Sequence, residues 1–222
     1  MTEVLESVRR FYPELALTAG MLLVVLVDAT GMRARNVVNW WLTIATLIAA
    51  MVLCGPLATA APAPLFGGML VLDPMAVFFK VLLVGASLVV VGAFRFAGSR
   101  ELAGLGQGEF YALLLGVTFS NLLMASANDL AMLYLALEMV SIASYVMVAY
   151  LKGDRMSNEA SLKYILFGAV STGGMLYGLS LLYGMTGSTN LGVIREVLAA
   201  GAADANRLPL LVVALLIFAG FG

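Results

Sequence analysis

A single carboxylate, Glu138, lies inside an otherwise apolar run, NDLAMLYLALEMVSIASYVMVAYL, which covers residues 128–151. About 20 helical residues at ~1.5 Å each span a ~30 Å hydrocarbon core, so the run predicts a membrane-spanning helix. A charge near the middle of such a helix costs at least ~2.5 kcal/mol of insertion free energy, and pairing, hydration or protonation must offset that cost. Glu138 therefore indicates a site that handles protons or ions.

Three uncharged polar residues share a helix face with this carboxylate. Tyr134, Glu138, Ser141 and Tyr145 follow one another at intervals of 4, 3 and 4 residues. At ~100° per residue they occupy a stripe about 60° wide. Lipid cannot satisfy such a stripe, so it must face other helices or internal water. Ordinary hydrogen bonding between helices is the alternative interpretation, and it suits the three uncharged residues better than Glu138.

Lys163, in the following segment NEASLKYILFGAVSTGGM, is the best buried cation to partner Glu138. Counting from the helix ends that the two segments share, the residues differ by ~10 Å in depth. That offset favours a relation through water over a tight ion pair. Because a nearby carboxylate favours the charged lysine, moving the carboxylate's partner would release the lysine proton without any cofactor. The alternative is a lysine that snorkels to the interface.

Other conspicuous residues have simpler interpretations. Lys80 is predicted to snorkel, Asp73 to start a helix, and Asp129 to form a turn or helix cap. The lone Cys54 is predicted to be a small core residue. A pair of glycines four residues apart predicts close helix packing, and these are Gly174 and Gly178.

The composition excludes several classes of protein. Hydrophobic residues make up 62% of the 222 positions and charged residues 11%, whereas soluble domains carry about 25% charged residues. The net charge of −1 and the absence of histidine argue against a nucleic-acid partner and against haem, zinc or iron–sulfur sites. The first apolar segment lacks a cleavage site and is predicted to be a spanning helix, not a signal peptide.

The chain is predicted to be an all-α polytopic membrane protein with about seven transmembrane helices. A short amphipathic stretch at 190–200 is too short to span and is predicted to lie at the interface. Ser157 or Asn158 is predicted to cap the sixth helix. The sequence stops inside a hydrophobic helix, which leads us to expect a longer protein. The seven segments are 13–30, 38–57, 74–95, 109–127, 129–151, 160–185 and 208 onward.

Basic residues in the loops predict the orientation. The side of the N-terminus, called side A, receives Arg9, Arg10, Arg195 and Arg207. The opposite side, side B, is therefore predicted to be cytoplasmic, with the N-terminus outside. The basic residues of side B are Arg33, Arg35, Arg95, Arg100, Lys152 and Arg155.

Four stretches resemble the antiporter-like membrane subunits of respiratory complex I, NADH:quinone oxidoreductase. The most specific are LYLALEMVSIASYVMVAYL and NEASLKYILFGAVSTGGMLYGLSLLYGMTGSTNL. Within that family, PELALTAGMLLVVLVDA and GMLVLDPMAVFFK resemble the N-chain type more than its L and M sister types.

The resemblance implies a fourteen-helix fold with two inverted five-helix repeats. Residues 1–107 would hold three N-terminal helices, and 108–222 an incomplete first repeat. Glu138 matches the family's acidic residue of the fifth helix, which pairs with a lysine of the seventh. That lysine would follow the sequence GFG at 220–222. Lys163 matches the lysine near the start of the sixth helix.

The implied function is proton translocation through buried Glu/Lys pairs in a non-redox subunit of the enzyme. NADH, FMN, iron–sulfur clusters and quinone would bind to other subunits, and this chain would hold no cofactor. Its partners would be neighbouring membrane subunits in the bacterial inner membrane. The alternatives are a homologous subunit of a multi-subunit Na⁺/H⁺ antiporter or membrane-bound hydrogenase, and a purely structural membrane subunit.

Overall fold

The computed structural model describes residues 2–31, 35–97, 107–151, 153–202 and 207–221. Within these ranges the chain forms nine α-helices and one short antiparallel hairpin. The hairpin strands are β1 (Ala63–Leu65) and β2 (Leu70–Leu72). The helices are α1 (Thr2–Arg9), α2 (Tyr12–Ala29), α3 (Arg35–Ala58), α4 (Pro74–Ala97), α5 (Gly108–Ser126), α6 (Leu130–Val148), α7 (Arg155–Thr186), α8 (Leu191–Val197) and α9 (Arg207–Phe221).

Six helices of the described ranges, α2 to α7, are long and apolar enough to cross a membrane. The seventh predicted segment forms α9, a shorter apolar helix of 15 residues. The prediction of an all-α polytopic membrane protein is therefore confirmed. The short hairpin in the Pro-rich break was not predicted, and α3 continues through Pro56 to Ala58.

The chain divides into two compact units, Met1–Ser126 and Ala127–Gly222. The first unit includes α5, which packs against α2 and α4. The predicted boundary at residue 108 refers to the repeats of the family fold and not to compact units. It therefore stays a prediction.

In the first unit, α2, α3, α4 and α5 pack around one apolar core. Close van der Waals contact among the apolar side chains stabilises this packing, since lipid tails are as apolar as the side chains themselves. Cys54 is fully buried, which confirms its predicted place in the core. The core is made of Leu17, Val24, Leu47, Ala50, Val84, Val91, Tyr111, Leu114, Leu115 and Leu122.

The hairpin between α3 and α4 turns through left-handed backbone. Ala63 pairs with Leu72 and Leu65 with Leu70. At the turn, Gly67 and Gly68 have φ values of 67° and 85°, a conformation that glycine adopts without the steric cost of a Cβ. Two glycines in sequence therefore allow the chain to reverse before α4.

In the second unit, α9 runs back along α7. Gly178 of α7 lies against Leu216, and Gly220 of α9 lies against Met175. These contacts confirm close packing at Gly178. Gly174 has no described atom within 4 Å of the Cβ position, so the helix contact uses one of the two predicted glycines.

Aspartate carboxylates cap the starts of α4, α6 and α7. Asp129 caps α6 and Asp73 accepts from Ala76 N–H near the start of α4, as predicted. The predicted cap of α7 at Ser157 or Asn158 is wrong. The helix begins a turn earlier because Asp154 accepts from the backbone N–H groups of Met156 and Ser157.

The amphipathic stretch at 190–200 forms α8 and continues as a π-helical turn, Leu198–Ala202. Asn190 caps this helix through its side-chain oxygen, which accepts from Gly192 and Val193 N–H. The predicted short helix is confirmed, and its position at the membrane interface stays a prediction.

Candidate functional site

Glu138 is half-buried on α6, and one of its oxygens has no partner. Oε1 is buried and accepts no hydrogen bond from the described residues. One turn earlier, the Tyr134 side chain interacts with Glu138 and with Thr172 of α7. The carboxylate therefore lies beside one polar group and keeps one oxygen available for a proton or a cation.

The polar stripe of α6 faces α7. The Tyr145 ring packs edge-on against Tyr164, with 4.8 Å between the centroids. The Tyr145 hydroxyl also lies where a side chain at Gly168 would have to go. Ser141, by contrast, donates to the Leu137 carbonyl of its own helix at 3.0 Å. Tyr145 of α6 and Tyr164 of α7 thus pack the two helices together, whereas the hydrogen bond of Ser141 stays within α6.

The register of α6 against α7 gives the depth of each charged residue. Ser161 Oγ donates to the Tyr145 carbonyl at 3.1 Å, and Tyr134 meets Thr172. These contacts place Glu138 level with about residue 168 of α7. Lys163 is then some five residues away, or ~8 Å along the axis.

Lys163 pairs with a neighbour on its own helix. Its Nζ lies 2.7 Å from Glu159 Oε1, and the two side chains are 66% and 59% exposed. The adjacent residue, Tyr164, faces α6, so Lys163 points about 100° away from that contact face. The described residues show no direct bond between Lys163 and Glu138. The role of Lys163 stays a prediction.

The structure reveals a second pair of charges in the first unit. Lys80 of α4 is 1% exposed and Glu14 of α2 is 0% exposed, and Nζ lies 2.6 Å from Oε1. The prediction that Lys80 snorkels is therefore wrong. Its ammonium stays inside because a buried carboxylate lies within reach, and the pair offsets part of the desolvation cost of both ions.

Sequence reasoning missed Glu14 as the buried partner of Lys80. The available signal was a pair of opposite charges, each near the start of a predicted span that begins on side A. Depth alone does not reveal a pair, because the rotation of each helix decides whether two side chains meet. Cys54 of α3 interacts electrostatically with both Glu14 and Lys80.

Comparison with known proteins identifies the family. The transmembrane family model of the NADH:quinone oxidoreductase/Mrp antiporter proteins matches residues 127–222. NADH-quinone oxidoreductase subunit N of Anaeromyxobacter sp. (strain Fw109-5) is 41% identical over 229 residues, covering 99% of this chain and 43% of that protein. The chain belongs to this antiporter-like family. It spans less than half the length of the curated relatives it matches.

Solved structures support the same family. Respiratory complex I from Thermus thermophilus with bound aureothin contains a chain that is 26% identical, with a TM-score of 0.73 over 95% of this chain and 43% of that one. A chain of the archaeal membrane-bound sulfane sulfur reductase shares the fold, with a TM-score of 0.78 at 20% identity over 96% of this chain and 44% of that one. The predicted resemblance to antiporter-like subunits is confirmed.

The antiporter-like family match covers the second unit of the fold, where Glu138 lies. Within the described ranges, no three His, Cys, Asp or Glu side chains are grouped as a metal ion would require. The prediction that cofactors bind to other subunits stays a prediction.

Proposed function

We propose that this chain is part of a membrane-arm subunit of a proton-translocating NADH:quinone oxidoreductase. Glu138 carries the proposal: it is a half-buried carboxylate with a free oxygen in a polar stripe. The relatives of this chain include proteins named subunit N of NADH-quinone oxidoreductase. The chain's role is to move protons without holding a redox group.

In the proposed mechanism Glu138 alternates between a charged and a protonated form. A cation beside Oε1 favours the carboxylate, and withdrawal of that cation favours proton uptake from internal water. Tyr134 stabilises the carboxylate from the neighbouring turn. Quinone reduction in other subunits would drive the movement of the cation, so the chemistry in this chain is limited to charge and proton transfer.

The partner cation is proposed to lie on the continuation of α9. Gly220 lies beside Ser171 and Met175 of α7, whereas Glu138 is level with about residue 168. Since α9 runs antiparallel to α7, three to five more residues of the same helix, or ~5–8 Å, would reach the depth of Glu138. A lysine at that depth is the proposed partner of the free oxygen. Lys163, one to two turns away on α7, is the proposed next group along the path.

The competing function within the family is a subunit of an Mrp-type antiporter, because the matching family description includes those proteins. Co-purification distinguishes the two. A complex that contains NADH- and quinone-binding subunits supports the oxidoreductase, and a complex without them supports the antiporter. A purely structural subunit is the third candidate.

We also propose that the subunit lies in the bacterial inner membrane with its N-terminus on the outer face. The excess of Lys and Arg on side B supports this orientation, because loops on the cytoplasmic face carry more positive charge. The proposed partners are the neighbouring antiporter-like membrane subunits.

The test replaces Glu138 by Gln in the full-length chain and examines the assembled complex. We expect normal assembly and a fall in NADH-driven proton pumping of about tenfold or more, since a general acid–base group contributes ~10²-fold or more to the step it serves. The control is Glu196→Gln, at an exposed residue of α8, which leaves pumping unchanged.

Lys163→Met is a separate arm of the same experiment, and we expect it to lower pumping less than Glu138→Gln. An assembled Glu138→Gln or Glu138→Ala complex that pumps normally would refute the transport role and leave the structural subunit.

A further inference from the structure

The buried pair of Glu14 and Lys80 has no part in the mechanism proposed above. Both side chains are excluded from solvent, and Nζ of Lys80 approaches Oε1 of Glu14 to 2.6 Å. The contact is short but lacks hydrogen-bond geometry, and Oε2 of Glu14 also has no hydrogen-bond partner among the described residues. One oxygen of a fully buried carboxylate is thus left without a proton donor.

Packing alone does not require this pair. Removing each ion from water costs several kcal/mol, and the mutual attraction repays that only when hydrogen bonds satisfy the remaining oxygens. Well-packed apolar residues in place of a buried ion pair are often neutral or stabilising. Helices α2 and α4 already contribute Leu17 and Val84 to a common apolar core. A charged pair in this place therefore indicates a use for the charges themselves.

No other charged side chain of the four packed helices lies near the pair. In α2 to α5 the remaining charged residues all stand at the side-B ends of their helices. The Cys54 thiol of α3 is the other titratable group that interacts electrostatically with both members. Within α2 to α5, the pair therefore supplies the charges of the half nearest side A. Further charged residues of the first unit on that side lie outside these helices, and they include Glu6, Arg9 and Arg10 before α2 and Asp73 before α4. The residues at the side-B ends are Asp28, Arg35, Arg95 and Glu109.

A cavity on side A lies close to the pair. Its volume is about 590 Å³, and its lining includes Glu6, Ser7 and Arg10 of the N-terminal segment and the hairpin residues 63–68. The Phe11 ring packs edge-on against Phe66 of this lining, with 5.2 Å between centroids. Leu15 N–H donates to the Phe11 carbonyl, so Phe11 lies about one helical turn before Glu14. One aromatic contact and ~5 Å of helix separate the cavity from the carboxylate.

We propose that Glu14 and Lys80 form a second proton-exchange site, which exchanges protons with the side-A cavity past Phe11 and Phe66. At rest the pair is a carboxylate and an ammonium. One proton from hydronium in the cavity binds to Oε2 of Glu14, giving a carboxylic acid beside the ammonium and leaving water behind. Release of that proton to water restores the pair, and no other bond forms or breaks.

The inference rests on the proposed function, because its readout is proton pumping by the complete oxidoreductase. The experiment uses the full-length chain in the assembled complex, in inverted membrane vesicles energised with NADH. The informative variant is Glu14→Leu combined with Lys80→Leu, which removes both charges and leaves no unpaired ion. Assembly is measured from the amount of intact complex, and pumping from the quenching of a pH-sensitive dye per NADH oxidised.

We expect the double variant to assemble and its pumping to fall about tenfold or more, since a general acid–base group contributes ~10²-fold or more to the step it serves. Wild-type pumping in the assembled double variant would overturn the proposal and leave a structural pair. Glu196→Gln is the matched control. Glu138→Gln, measured in parallel, separates the two failures: normal pumping there refutes the proposed function, whereas a loss there without a loss in the double variant refutes this inference alone.

A conservative variant decides the matter if the double variant does not assemble. Glu14→Asp keeps a carboxylate beside Lys80 but shortens its reach to the cavity side. Proton exchange at this site predicts a shifted pH profile of pumping in Glu14→Asp. A pH profile identical to that of the wild type would overturn the proposal.

Discussion

At the scale of single residues, two carboxylates meet the cost of leaving water in different ways. Glu14 is fully buried and has Lys80 as a neighbour at ion-pair distance. Glu138 is half-buried, has Tyr134 beside it, and leaves Oε1 without a partner among the described residues. Glu14 thus has its countercharge within the first unit, whereas Glu138 has no countercharge at ion-pair distance among the described residues.

Replacing Tyr134 by Phe tests whether the tyrosine stabilises the charged form of Glu138. Loss of a hydrogen bond to a charged group costs ~1.5 kcal/mol, which is about tenfold if it falls wholly on the proton-carrying step. We therefore expect pumping by the assembled complex to fall by up to about tenfold.

Tyr177→Phe is the matched control, because Tyr177 is exposed on α7 and should pump normally. If Tyr134→Phe and Tyr177→Phe pump equally well, the hydroxyl of Tyr134 has no role in proton transfer.

At the scale of helices, Asp129 joins two elements of the second unit. Its Oδ1 accepts from Ala131 N–H at 2.9 Å at the start of α6, and its Oδ2 accepts from the Thr189 hydroxyl at 2.5 Å just before α8. Asp154 caps α7 in the same manner but is exposed. The two aspartates form a natural comparison between a cap that also links elements and a cap that does not.

We expect Asp129→Ala to lower the stability of the complex by about 2 kcal/mol and Asp154→Ala by about 1 kcal/mol, since a lost N-cap costs ~1 kcal/mol and Asp129 loses a further hydrogen bond. The midpoint of thermal inactivation of each solubilised complex measures the difference. Equal midpoints for the two variants would mean that the contact with Thr189 adds no stability.

Two glycines of α7 test the packing of α9. A Cβ at Gly178 would lie 2.9 Å from Leu216 Cβ, whereas a Cβ at Gly174 would meet no described atom within 4 Å. Alanine favours a helix over glycine by up to ~1 kcal/mol at both places. We expect Gly174→Ala to gain stability and Gly178→Ala to lose about 1–3 kcal/mol from overpacking. A thermal midpoint for Gly178→Ala at or above that of Gly174→Ala would contradict the packing.

The helices themselves were predictable, because each apolar run is long and ends in turn residues. Their ends were less so: α7 begins at Arg155 because Asp154 competes successfully with Ser157 for the cap position. Glu138 and its stripe followed from helical periodicity within one segment. The Glu14–Lys80 pair did not, since it depends on how α2 and α4 are rotated toward each other. Periodicity within a helix is visible in a sequence, and rotation between helices is not.

At the scale of the whole molecule, the charged residues of the loops and the number of crossings make one joint prediction. Thr59 follows α3 and Gly153 precedes α7, so three spanning helices, α4 to α6, separate them. An odd number of crossings places the two residues on opposite sides of the membrane. The excess of basic residues on side B then predicts that Gly153 faces the cytoplasm and Thr59 the outside.

Single cysteines at Thr59 and Gly153 test this orientation in the full-length chain. Both positions are exposed, and Cys54, which is fully buried, is replaced by Ser to remove any background. We expect a membrane-impermeant maleimide to label Thr59→Cys in intact cells from which the outer barrier has been removed, and Gly153→Cys only after the inner membrane is opened. The reverse pattern would place the N-terminus inside. Labelling of both cysteines from one side would contradict the three crossings.

The labelling pattern also locates the side-A cavity. Thr59 follows α3 on the same side of the membrane as the hairpin, and the hairpin lines the cavity. Labelling of Thr59→Cys from outside would therefore place the cavity, and with it the proton exchange proposed for Glu14, on the outer face.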